Sequence, residues 1–267
     1  MKKFLLTLLA TSLLFTGCSS VTKSGVVGAD RKQLMLISSE AMEQSSAQAY
    51  VKTLTAARSK GELNVDPILT KRVQDIAKRL IAQTGVFRDD ALKWKWQVNV
   101  INEDTLNAWC MPGGRIVVYS GIIKRLNLTD AQLAAVMGHE IAHALREHSR
   151  EQASADQMKS IGIFAIATAT GLGDLGANAL NLASEYTISL PFSRSHETEA
   201  DHIGTELMAR AGYDPKEAVE VWVKMSKMSG GKVPEILSTH PSNESRIKDL
   251  KEIAAKLEPI YQAAKRS

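Results

Sequence analysis

The sequence predicts an α+β fold, mainly helical with a small β-sheet, and three observations predict it. Apolar residues recur at spacings of three and four through most of the chain. One run, Trp94 to Ile101, alternates instead, with Trp94, Trp96, Val98 and Val100 set against Lys95, Gln97 and Asn99, the period of a half-buried strand. After it, Pro112-Gly113-Gly114 separates two short extended runs, Ala108 to Cys110 and Ile116 to Tyr119, which reads as a hairpin-like pair. With 267 residues, 44% hydrophobic and 23% charged, the chain is long enough to bury a real core and is not expected to be disordered.

Taken in order, the chain opens with Lys2 and Lys3, an apolar stretch from Phe4 to Phe15, and small residues before Cys18. This is the pattern of a secretory signal peptide over residues 1–18, too short to span a bilayer as a helix. Its ending "FTGC" resembles the lipobox of bacterial lipoproteins, in which cysteine becomes the lipidated first residue, although Phe15 stands where leucine is usual. Cleavage near Gly17 without lipidation is the alternative. Ser19 is not the aspartate that tends to hold such proteins at the inner membrane. A lipid anchor on Cys18, on the periplasmic side of the outer membrane, is therefore expected if the source is Gram-negative.

Lipidation of Cys18 would leave Cys110 unpaired, so no structural disulfide is expected. Removal of residues 1–18 takes two lysines from 33 basic residues against 29 acidic ones, leaving +2, no argument for a nucleic-acid partner. Residues 19–30, "SSVTKSGVVGAD", are small, polar and glycine-containing and suit a flexible tether. Val73, Ile76, Ala77, Leu80 and Thr84 share one helical face ahead of a stop at Gly85. From Thr129 on, the chain reads as helical, with an Ala/Gly/Leu-rich part from Ile161 to Ser184 interrupted by Gly171, Gly173 and Gly176. That part is expected to be a buried helical hairpin, too short to cross a membrane.

Chemistry is announced at "AAVMGHEIAHALREH". Thr129 and Gln132 form a Thr-x-x-Gln capping box and Leu128 can staple onto Leu133, so a helix should begin at Asp130. At about 100° per residue, His139 and His143 lie one turn apart on one face. Two such imidazoles can share a zinc ion at about 2.0 to 2.1 Å, and Glu140 beside them can reach a water on it without ligating it. On the same periodicity His148 points away from both and is expected to be a solvated surface histidine.

A hydrolytic zinc site needs a third protein ligand and one open position. The long metzincin pattern would need glycine at 146 and histidine at 149, where Arg146 and Ser149 stand, and no glutamate lies between Glu151 and Glu185 to fit the thermolysin spacing. The candidate is "FSRSHETEADHIGTELMARAGYDP", read as one helix from Glu197 to Ala211 closed by Gly212. Glu197, Ala200, Asp201, Gly204 and Leu207 share its buried face, which makes Glu197 the third ligand. Asp201, one turn on, is placed to accept the free N–H of a ligating imidazole. Glu199, His202, Glu206 and Arg210 fall on the other face, where Glu199 reads as a solvated charge. In the competing reading Glu197 and Asp201 only pair with Arg194 or Lys224.

Together "HEIAH", "FSRSHETEAD" and "STHPSNESRI" resemble the HtpX-like and CAAX prenyl endopeptidase family of zinc metalloproteases (gluzincins), in particular a soluble periplasmic lipoprotein branch, over about Leu80 to Leu250. The resemblance implies that residues 31–267 form a zincin-like metallopeptidase domain binding one Zn²⁺ per chain through His139, His143 and Glu197, with Glu140 as base. It also implies that "NAWCMPGG" is an edge strand over the metal, where Asn107, Ala108 and Trp109 meet an extended substrate by strand addition. His240 and Arg246 match the family's late His-Pro and Arg pair, for which transition-state stabilisation is expected. For His240, a fourth ligand that plugs the site and a plain histidine before Pro241 remain open. Cys110 reads as a small hydrophobe. The implied function is a zinc-dependent endopeptidase acting on unfolded or misassembled envelope proteins, with the outer-membrane assembly machinery as an expected partner. A chaperone-like binding module with a plugged zinc site is the rival.

Overall fold

A computed structural model describes residues 18–170, 192–227, 235–240 and 244–266. The fold is α+β, mostly helical with a small mixed sheet, as the sequence predicts. In chain order the elements are β1 (Cys18–Ser19), β2 (Gln33–Leu34), α1 (Ser39–Ser59), α2 (Pro67–Ile81), β3 (Gln97–Ile101), β4 (Ala108–Met111), β5 (Arg115–Tyr119) and α3 (Ser120–Arg125). There follow α4 (Asp130–Leu145), α5 (His148–Thr170), α6 (Arg194–Arg210), α7 (Glu217–Lys227), α8 (Glu235–Thr239) and α9 (Glu244–Ala264).

The three-stranded sheet has the order β3-β5-β4, with β3 parallel and β4 antiparallel to the central β5. The expected hairpin is β4–β5, and both glycines of its turn adopt left-handed φ, 82° at Gly113 and 83° at Gly114, which only glycine does without cost. The outer edge of β3 is partly covered by Leu63, bridged to Ile101. Among the described residues no strand pairs with the outer edge of β4.

Helix α4 is the centre of the molecule. Its capping box closes as the sequence predicts, with Gln132 N–H donating to Thr129 Oγ1 and Thr129 N–H donating to the Gln132 side chain. Every residue from Gln132 to Leu145 is buried, so the helix is enclosed on all sides by β4, α2, α6 and α7. Leu133, Met137, Ile141 and Leu145 are fully buried, each worth about 1.5–3 kcal/mol of apolar transfer before ordering costs.

The tightest packing is between α4 and α6. A Cβ on Gly204 would lie 2.6 Å from the His139 backbone nitrogen, and one on Gly138 would lie 2.8 Å from the Gly204 carbonyl oxygen. The two backbones touch because both residues lack a side chain, and this crossing sets His139 against Asp201. Helix α2 buries Val73, Ile76, Ala77 and Leu80 as its periodicity predicts, but ends at Ile81. Thr84 is still buried, carried in a short 3-10 turn, Thr84–Val86.

One expectation changes. Residues 19–30 do not hang free: Thr22, Val27 and Ala29 are buried, and the Val26 and Val27 N–H groups donate to Glu206 on α6. Small residues here permit close packing as readily as flexibility, and composition alone does not separate the two. Residues 1–17 and the Gly171–Gly176 interruption expected within an apolar hairpin lie outside the described residues. Among the described residues, no helix is long and apolar enough to cross a membrane.

Candidate metal centre

Four side chains converge where α4 passes α6 and the end of α8. His139, His143, Glu197 and His240 are all buried, and one donor atom of each lies within 4.8 Å of the others. His139 Nε2 is 3.1 Å from His143 Nε2, 3.2 Å from His240 Nδ1 and 3.5 Å from Glu197 Oε2. Glu197 Oε1 is 3.5 Å from His143 Nε2 and 3.0 Å from His240 Nδ1. Ligands about 2.0–2.1 Å from the centre of a tetrahedron stand about 3.3–3.4 Å apart. The separations bracket that edge, and the set of three imidazoles and one carboxylate suits a borderline cation. The residues present therefore fit a tetrahedrally held metal ion.

Charge favours the same conclusion. Glu140, Glu197 and Asp201 bring three carboxylates into a buried site, and Arg246 brings one guanidinium. Glu140 Oε1 is buried without a hydrogen-bond partner, and His240 Nε2 lies 3.6 Å from it. Burial raises the Glu140 carboxyl above its usual range, against the pull of His240 and His139. That is the setting of a proton acceptor rather than a salt-bridge partner.

The other carboxylates are held ionised. Burial opposes ionisation of Glu197, but hydrogen bonds with His139, His143 and His240 outweigh it and lower its pKa. Burial likewise opposes Asp201, and the charge of Arg246 overcomes it. Asp201 Oδ1 is 3.0 Å from His139 Nδ1, as expected from its place one turn beyond Glu197. The competing pairing of Glu197 and Asp201 with Arg194 or Lys224 is not what forms: their cationic partner is Arg246, and Lys224 donates to the Leu126 and Asn127 carbonyls and to Gln132.

Arg246 reaches the site differently from the expectation. Its Nε and Nη2 donate to Asp201 at 2.8 and 2.7 Å, Nη1 sits 2.7 Å from Glu197 Oε2, and the guanidinium stacks 3.8 Å over Trp222. It clamps the two carboxylates.

Strand β4 flanks α4. Ala108 and Cys110 turn inward and are buried, while Trp109 turns to the other face and meets Tyr50 of α1 edge-on, centroids 6.0 Å apart. Asn107 folds back so that its Oδ1 accepts from Ala108 N–H. Trp109 thus braces the strand from behind. Burial and the nearby Glu140 charge push the Cys110 thiol well above its usual pKa, so it packs as a small hydrophobe.

The largest correction concerns His148, which is fully buried. Its Nδ1 is 2.9 Å from His143 Nδ1 and its Nε2 is 3.0 Å from Glu199 Oε2. Helical periodicity failed because the helix does not continue. Arg146 caps α4, Glu147 takes a left-handed φ of 52°, and α5 starts afresh at His148, swinging its ring back onto His143. No glycine or asparagine marks that corner; Glu147 is held there by Arg88, Arg150 and Ser39.

Glu199 is likewise buried, not solvated, and pairs with Arg31 and Arg146. Burial pushes it up, but hydrogen bonds from His148 and Arg31 and the charge of Arg146 hold it near a pKa of about 2. Burial holds His148 down to about 4, against the hydrogen bond to Glu199, so the ring is neutral at pH 7. His196 stacks on His148, centroids 4.4 Å apart, and reaches Glu151 at 3.1 Å.

Comparisons with known proteins agree with this geometry. The chain is 37% identical over 185 residues to the mitochondrial metalloendopeptidase OMA1 of Schizosaccharomyces pombe (68% of this chain, 52% of that protein). It is 40% identical over 153 residues to the Arabidopsis thaliana protein of the same name (57% and 30%). To the β-barrel assembly-enhancing protease of Escherichia coli it is 30% identical over 228 residues (82% and 45%). The chain thus spans about half, or less, of these relatives' length. The description "Peptidase family M48" matches residues 67–254, a stretch that contains all four converging side chains together with Glu140, Asp201 and Arg246. On that match the chain belongs to peptidase family M48, of which the HtpX-like and CAAX group is a branch.

Proposed function

We propose that this chain is a zinc-dependent endopeptidase, with His139, His143 and Glu197 as ligands of one Zn²⁺ and Glu140 as general base. The observation that carries the reading is the set of donors at tetrahedral spacing beside a buried, hydrogen-bond-deficient Glu140 carboxylate. When bound, the ion supplies Lewis acidity, polarising the scissile carbonyl and acidifying water. Glu140 takes the proton from the attacking water and returns it to the departing amine, a service typically worth about 10² to 10⁴ in rate. Asp201 holds the His139 ring, and Arg246 fixes Asp201 and Glu197 against each other. An unfolded polypeptide would lie along the open edge of β4, pairing through backbone groups and so accepting many sequences.

His240 Nδ1, 3.0 Å from Glu197 and 3.2 Å from His139, would fill the fourth place of a tetrahedral set. We read this as a closed resting site that a substrate or partner must open. The same observation supports the rival, a chaperone-like module for unfolded outer-membrane proteins whose zinc is permanently plugged. The substrates we propose are unfolded or misassembled envelope proteins. The signal-like residues 1–18 and the likeness to an assembly-enhancing protease support a lipid anchor on Cys18, the periplasmic side of the outer membrane, and a partner in outer-membrane assembly.

The test is casein cleavage by the zinc-loaded protein and its Glu140→Gln variant, each with and without His240→Ala. We expect Glu140→Gln to keep its zinc and lose at least about 10²-fold in rate in either background. Equal cleavage by Glu140→Gln overturns the mechanism, and inertness of all four proteins favours the chaperone-like module.

A further inference from the structure

Resting on that reading of the zinc site, we propose that His148 and Glu199 are positioning residues for the second zinc ligand, forming a relay His143–His148–Glu199 that fixes the His143 ring. The argument is one of donors and acceptors. An imidazole that ligates through Nε2 carries its hydrogen on Nδ1 and must donate it. The atom that receives it is His148 Nδ1, 2.9 Å away. His148 then bears its own hydrogen on Nε2, which points at Glu199 Oε2 at 3.0 Å.

Glu199 is a competent end to the chain because its oxygens are already anchored. Arg146 donates to Oε2 from Nε at 3.0 Å and Arg31 to Oε1 from Nε at 2.7 Å. The carboxylate can neither rotate away nor take a proton without breaking these pairs. His148 is clamped from the side as well, by the parallel ring of His196 at 4.4 Å. His139 is held by Asp201 directly; His143 is held at one remove, by an imidazole inserted between ligand and carboxylate.

The same neighbourhood offers His148, Glu151 and His196 as a possible second metal triad. The positions of the charges argue against it. Arg31 grips Glu151 with two nitrogens at 2.6 and 2.9 Å, and His148 Nδ1 is taken up by His143. Two guanidinium groups already balance the two carboxylates there, so a dication has no charge to neutralise.

The tests are metal analysis, chelator competition for zinc, visible spectra of the cobalt-substituted protein, and ¹⁵N–¹H correlation of the histidine rings in zinc-loaded wild type. In the wild type we expect one zinc per chain, the Nδ1–H tautomer on His143 and the Nε2–H tautomer on His148. His148→Ala should bind zinc about 10- to 100-fold more weakly and shift the cobalt bands. His148→Gln, whose amide offers an acceptor oxygen and a donor NH2 group, should recover most of both. An Nδ1–H tautomer on His148, or unchanged affinity and cobalt bands in His148→Ala, overturns the relay while leaving the zinc site standing. Two zinc ions per chain overturn it in favour of the second triad. No zinc in the wild type overturns the underlying zinc reading itself. Should His148→Ala fail to fold, the tautomers of the wild type decide alone.

Discussion

Two buried polar clusters lie side by side where α4 and α5 meet α6, built from the same residue types, and they do opposite things with charge. The cluster at His139, His143, Glu197 and His240 sets three carboxylates, Glu140, Glu197 and Asp201, against the single guanidinium of Arg246. With neutral imidazoles it is two negative charges in excess, and its donors converge on one point. In the cluster at His148, Glu151, His196 and Glu199, two carboxylates meet Arg31 and Arg146. That cluster is balanced, and its donors are spent on one another. Histidine and carboxylate at ligand spacing are therefore an insufficient sign of a metal site; the sign is a buried charge deficit with lone pairs left over.

Several substitutions should break or sharpen this contrast. Glu197→Ala removes one carboxylate from the deficient cluster and one ligand with it, and stoichiometric zinc should be lost on metal analysis. Arg146→Met strips the balanced cluster of a fully buried cation and leaves Glu199 under-compensated. Breaking a buried pair from one side costs about 3–5 kcal/mol, to be read from the midpoint of chemical denaturation. Gly204→Ala drives a methyl against the His139 backbone nitrogen. It should cost about 1–3 kcal/mol by overpacking and weaken zinc binding as well, since it separates the helices that carry His139 and Glu197.

Arg31→Met tests the balanced cluster at its exposed rim. Arg31 is 37% exposed, so solvent screening cuts its contribution to about 1 kcal/mol. A pH series separates it further. The folded pKa of Glu199 is depressed to about 2 by hydrogen bonds and charge that outweigh its burial. Its stabilisation is thus complete above the unfolded value of about 4.3 and lost as pH falls through about 2. The acid limb of the denaturation midpoint between pH 5 and 2 should be shallower in Arg31→Met than in the wild type.

The sequence made the cluster at His139, His143, Glu197 and His240 legible because each of its residues sits inside an uninterrupted helix or a distinctive motif. The capping box at Thr129 fixed where α4 begins, and from there periodicity put His139 and His143 together. Asp201 followed from Glu197 by one turn. Gly138 and Gly204, which bring the two helices into backbone contact, carry no signal until the helices are docked. The balanced cluster was illegible for a related reason. It depends on a left-handed corner at Glu147 that no glycine announces and on Arg31, which directly follows the segment, residues 19–30, whose small residues read as a tether. Arg246 and His240 were located through motif resemblance, but the guanidinium's commitment to Asp201 and Glu197 is a tertiary fact.

The contrast is tested most directly by anomalous scattering across the zinc absorption edge from crystals of the zinc-loaded protein. The account predicts one peak per chain, about 2.0–2.1 Å from His139 Nε2, His143 Nε2 and a Glu197 oxygen, and none among His148, Glu151 and His196. A peak in the second cluster, or none in the first, would contradict it.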